Sequence, residues 1–144
     1  MPARAMMLAM AVLAGCANPY EQLEQTDWFR AQAAEVKETR ENFKGWPRVG
    51  GYNEALLAGV VREDAAMPDN DAIALTLHLD DLHVFASQHP IHPRSIGLMY
   101  GSHTFAPDAH PRAGERWACK ASANAKGHWF IHSAMRVDPP PSAE

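Results

Sequence analysis

Between residues 73 and 79, Ile73, Leu75, Leu77 and Leu79 alternate with Ala74, Thr76 and His78. A period of two sends successive side chains to opposite faces of an extended chain, so this segment predicts a half-buried strand. One strand cannot bury its apolar face alone, and the pattern commits the chain to a sheet. Turn formers precede it in Met67-Pro68-Asp69-Asn70-Asp71, and Asp80-Asp81 reads as the turn that follows. Further strands are expected at residues 55–63, 83–86, 95–101, 115–121 and 128–137. In the first of these Gly59-Val60-Val61 favours strand over helix. The last two are joined by a turn at residues 122–127.

Upstream of the strands the period changes. Phe29, Ala33, Val36 and Phe43 recur at spacings near three and four, with charges on the other sides. That pattern predicts an amphipathic helix of roughly 15 to 25 residues. Two starts are open. Asn18-Pro19-x-Glu21 has a capping residue, a proline at the first helical position and a returning Glu. A start at Thr26 or Asp27 would instead leave residues 16–25 as a tether. Gly45 and Pro47 stop the helix, and Trp46 between them is a candidate to line a pocket or partner surface. After residue 137, Asp138-Pro139-Pro140-Pro141 begins a tail that cannot form a hydrogen-bonded ladder. The 144 residues suffice for one domain, expected at residues 26–137. The fold class is α+β, with an N-terminal amphipathic helix packed on an antiparallel sheet of about five strands. The alternative is a small barrel of the oligonucleotide/oligosaccharide-binding (OB) type with an appended helix.

The first 15 residues do not belong to that domain. Arg4 and the chain amine give a positive start, and residues 5–14 are uninterruptedly apolar. Ten residues of helix span about 15 Å, half the bilayer core, which is too short for a membrane anchor and right for an export signal. Leu13-Ala14-Gly15-Cys16 follows. This tetrapeptide resembles the lipobox of bacterial lipoproteins. The resemblance covers residues 1–17 and implies thioether attachment of lipid at Cys16, cleavage before it and acylation of the new amine. Ala17, in place of an Asp, implies the outer membrane, with the domain facing the periplasm. Cleavage after Ala17 by ordinary signal peptidase is the alternative and would give a soluble periplasmic or secreted protein.

With Cys16 lipidated or removed, Cys119 is the remaining thiol, so no intramolecular disulfide is available. In Trp117-Ala118-Cys119-Lys120 it reads as a small apolar side chain on a strand. The formal net charge of -4, without a run of Lys and Arg, argues against nucleic acid as a partner. Six of the eight histidines lie between residues 78 and 110. A ligating histidine carries a metal roughly 6 Å from its own Cα, so two sharing an ion need Cα atoms within about 12 Å. His89 and His92, in His-Pro-Ile-His-Pro, meet that limit if extended, at about 9 Å. A zinc or copper site would require His103 and His110 to join them. His128 and His132, four apart on a strand, stand about 13 Å apart and are not expected to share an ion.

No G-x-S-x-G, H-E-x-x-H or phosphate loop is present. The function expected is therefore a lipid-anchored, non-catalytic periplasmic binding or envelope-assembly module without a cofactor. Its partners would be the membrane, through Cys16, and an envelope protein. A metal-binding lipoprotein using His89, His92, His103 and His110 is the first alternative. A small hydrolase built on Cys119 or an Asp–His pair is the second.

Overall fold

The computed structural model describes residues 18–42, 52–68 and 74–138. The expectations that fall on Cys16, Phe43, Trp46, Ile73 and the tail beyond residue 138 lie outside them. The elements are α1 (Glu21–Glu24), α2 (Asp27–Asn42), β1 (Asn53–Val61), β2 (Leu75–Ser87), β3 (Ile96–Tyr100), β4 (Arg116–Ala123) and β5 (Trp129–Val137). This is the α+β arrangement of a helix packed on a five-stranded sheet. The amphipathic helix is not the first element, because one turn of helix precedes it.

The long helix uses the start at Thr26, whereas Asn18 opens a turn before the four-residue α1, which has no side-chain cap. Asn18 Oδ1 accepts the Tyr20 N–H at 2.9 Å, and α1 follows. Thr26 then caps α2. Its Oγ1 accepts the Phe29 N–H at 3.1 Å while its hydroxyl donates to the Leu23 carbonyl at 2.7 Å. Tyr20 and Leu23 are buried. Residues 18–25 are thus part of the fold, which corrects the expected tether: two apolar side chains there find a groove on the sheet.

The strands pair in the ring β1-β2-β3-β5-β4, and β4 returns to β1, closing a barrel. All pairings are antiparallel except β3 with β5, where Leu98 and Met99 lie parallel to Trp129 and Phe130. The sheet is therefore mixed, where an antiparallel one was expected. The register is staggered. Pairings lead from Val61 through Leu79 to Ile96, and from Leu98 through Trp129 and Ala123 back to Asn53. Such stagger tilts the strands and lets five of them close around side chains alone. Leu57, Leu77, Leu79, Leu98, Trp117 and Cys119 fill the interior. Phe105, edge-on to Tyr100 and Trp117 at 5.2 and 5.4 Å, plugs the end where β1 finishes.

Residues 75–87 form one strand, so Asp80-Asp81 is not a turn. Asp81 takes a φ of 49°, a left-handed conformation that Asp tolerates, and the β1–β2 register shifts opposite it. Gly59 permits this bulge: a Cβ there would stand 2.7 Å from the Asp80 carbonyl oxygen.

A second layer covers the outside of β1 and β4. Tyr20, Leu23, Trp28 and Phe29 pack on Ala58, Phe85, Ala118, Met135 and Val137. Trp28 Nε1 donates to Ser133 Oγ at 2.8 Å, and Phe29 meets Phe85 edge-on at 4.9 Å. Further along α2, Glu35 pairs with Lys120, whose Nζ lies 3.6 Å from the buried Glu54 carboxylate. Burial alone would lower the Lys120 ammonium. The bond to Glu35 and the charge of Glu54 outweigh it and hold the pKa above its usual value, so the ammonium stays charged at neutral pH.

Leu57 faces the barrel interior, and its neighbour Leu56 faces α2; both are fully buried. Leu→Ala at each is expected to cost about 2–5 kcal/mol in urea denaturation. A near-neutral Leu56→Ala beside a costly Leu57→Ala would show that α2 does not cover the strand.

Candidate functional site

Two faces of the barrel have different fates. Alternation along β2 and β3 sends Leu77, Leu79, Leu98 and Tyr100 inward and leaves Thr76, His78, Gly97 and Met99 outside. On β5, Trp129 and Ile131 pack on the core, so Phe130 between them points out. Register aligns these outer residues. Thr76 pairs with Met99, Met99 with Phe130, and Phe130 with Ser122 of β4. The row Thr76–Met99–Phe130–Ser122 therefore crosses four strands on the side that α2 leaves uncovered.

Polar groups frame this row. Ser122 Oγ and His132 Nε2 lie 2.5 Å apart. His78 sits opposite Gly97, where a Cβ would meet the imidazole Nε2 at 3.5 Å and the Thr76 methyl at 3.0 Å. The missing side chain gives both of them room. Next along β2, Asp80 accepts from Arg62 Nη2 at 2.8 Å and Ser95 Oγ at 3.0 Å. These bonds hold the Asp80 carboxyl below its ordinary pKa. The β4–β5 turn flanks the far side, organised by Asn124 Oδ1, which accepts the Lys126 and His128 N–H groups at 3.0 Å. Half-buried Met99 and Phe130 thus lie among polar side chains on this outer face. Ser122 Oγ and His132 Nε2 do pair a hydroxyl with an imidazole, but among the described residues no carboxylate bonds that ring to orient it, and Ser95 donates to a carboxylate already engaged by Arg62.

The histidines named from sequence do not converge. His89 exchanges two bonds with the Asn53 side chain, 2.9 Å from its N–H and 3.0 Å to its carbonyl, at the start of β1. His92 is exposed in the same connection. His103 and His110 lie in the β3–β4 connection, where the Pro111 carbonyl accepts the Ala65 N–H beyond the end of β1. Eight residues of strand, roughly 25 Å, separate the two places, about twice what a shared ion permits. Both ring nitrogens of His110 are buried and have no hydrogen-bond partner among the described residues, and the ring packs 5.9 Å from Phe105. Among the described residues no group of three His, Cys, Asp or Glu side chains could hold a metal. The two connections leave the barrel at opposite ends, which their nearness in sequence concealed.

Cys119 is fully buried in the barrel interior, where loss of water pushes its thiol up to about 12. It packs as expected of a small apolar side chain and offers no thiolate. Among the described residues no helix is long and apolar enough to cross a membrane. The row of outer residues was not singled out from sequence. One signal was present: Trp129-Phe130-Ile131 places three large apolar residues in succession on a strand, so one of them must face outward. Comparison of the chain with family models, curated proteins and solved structures found no match.

Native protein at pH 8 is expected to leave Cys119 unreactive toward a thiol reagent, with full reaction on unfolding. Rapid reaction of the folded protein would contradict its place in the core.

Proposed function

We propose that this chain is a lipid-anchored, non-catalytic binding module of the bacterial envelope. It is held at the outer membrane through Cys16 and offers the β2–β3–β5 face to an envelope component. The observation that carries the reading is the division of the barrel's surface. α2 seals one side, and among the described residues no helix packs over the half-buried row Thr76–Met99–Phe130–Ser122 on the other. Barrels of the OB type present the same β2–β3 face, flanked by the β1–β2 and β4–β5 connections, to oligonucleotides and oligosaccharides. The closed ring of five strands supports placing this barrel with them. The net charge of -4 weighs against an oligonucleotide, which leaves a protein or glycan surface as ligand. The core position of Cys119 weighs against a thiol hydrolase, and the separation of the histidines against a shared metal centre.

A photoreactive phenylalanine analogue in place of Phe130 is expected to crosslink to an envelope component in growing cells. The same analogue in place of exposed Ala34 on α2 is expected to give no product. Product from position 34 alone would move the contact surface to the helix. Cys16→Ser is expected to block processing or release the protein from membranes; a variant that is cut and bound like the natural protein would contradict the anchor.

A further inference from the structure

The link between the lipid-bearing residue and the fold is very short. Tyr20 is 3% exposed, and Arg116 holds it in two ways. Arg116 Nη1 donates to the Tyr20 hydroxyl at 3.3 Å, and its guanidinium lies 5.7 Å from the ring centre. The bond from the Tyr20 N–H to Asn18 carries this order back to Asn18. Only Ala17 separates Asn18 from Cys16. Consecutive Cα atoms are about 3.8 Å apart, so the Cys16 Cα lies within about 7.6 Å of the Asn18 Cα however the link bends. Pro19 itself lines a shallow groove with Gly114, Glu115, Arg116, Arg136 and Asp138. That groove lies where β4 begins and β5 ends, the same end of the barrel at which β1 finishes.

We infer that this end of the barrel rests against the phospholipid headgroups of the membrane that holds the lipid, with the β4–β5 turn pointing away. The inference rests on lipidation of Cys16. A tether of tens of residues would let the domain turn freely above the bilayer; a link of one intervening residue does not. The surface fits such a neighbour. Arg136 bonds Glu115 at 3.2 Å, and exposed Arg112 and Asp138 stand nearby, so both signs are interspersed as they are in a zwitterionic headgroup layer. The attached chains supply the holding energy, and no strongly basic patch is needed. The consequence concerns the partner. Strand β1 spans roughly 25 Å, so the bare face stays within about that height of the bilayer. A ligand docked on that face would sit within about that distance of the bilayer.

Fluorophores on single cysteines at Ala113, Ala34 and Ala125 test this in the full, lipidated protein. Buried Cys119 does not compete for label, and the lipid occupies the Cys16 sulfur. The protein is placed in phosphatidylethanolamine vesicles carrying a headgroup nitroxide, and its mass is measured first to establish lipidation. Position 113 should lose about half of its fluorescence or more, because the short link keeps it near the headgroups. Positions 34, on α2, and 125, in the β4–β5 turn, should change little. Lipidated protein quenched as strongly at 34 or 125 as at 113 would overturn the orientation and leave the anchor standing. Protein without lipid on Cys16 would overturn both.

Discussion

β1 is buried along both of its faces, and the other elements are arranged around that fact. Antiparallel sheets commonly leave one face to water, and their strands then alternate polar with apolar residues. Asn53–Val61 does not alternate, and its first seven residues are all buried. One face meets the barrel interior, where Leu57 packs with Leu77, Leu79 and Cys119. The other needs a cover, which α2 and the turn before it provide. The single carboxylate on that covered face, Glu54, would be costly without partners. Lys120 and the Thr39 hydroxyl supply them.

Covering β1 divides the rest of the molecule. The helix lies over β1 and the distal half of β2, so among the described residues the uncovered outer surface falls on β3, the start of β2, the start of β5 and the end of β4. That is where the row from Thr76 to Ser122 runs. The same cover draws in Tyr20 and Leu23, so a lipid on Cys16, as proposed, would be joined to the domain by a residue or two. The position of the proposed binding face and its proposed nearness to the membrane thus share one cause.

Much of this was legible in the sequence. Strict alternation located β2, and the turns at Gly and Asn placed β4 and β5 to within two residues. What escaped was whatever depends on tertiary pairing. Asp80-Asp81 has the composition of a turn, and only the partner strand, with Gly59 opposite, makes it a bulge. Residues 18–25 resemble a tether until the groove that takes Tyr20 exists. His89 and His110 are near in sequence, but a steeply tilted strand lies between them. Phe130 stood out of pattern beside Trp129 and Ile131, yet its alignment with Met99 follows from a parallel pairing that no local signal announces.

The central claim is that α2 is part of the folded core and not an arm laid upon a finished barrel. Amide hydrogen exchange on the mature protein tests it directly, since protection reports the free energy of local opening. The account predicts that amides in the middle of α2, around Val36, stay protected to nearly the same degree as those of β1 and β4. Exchange of α2 at the rate of a free peptide, with the strands still protected, would contradict it.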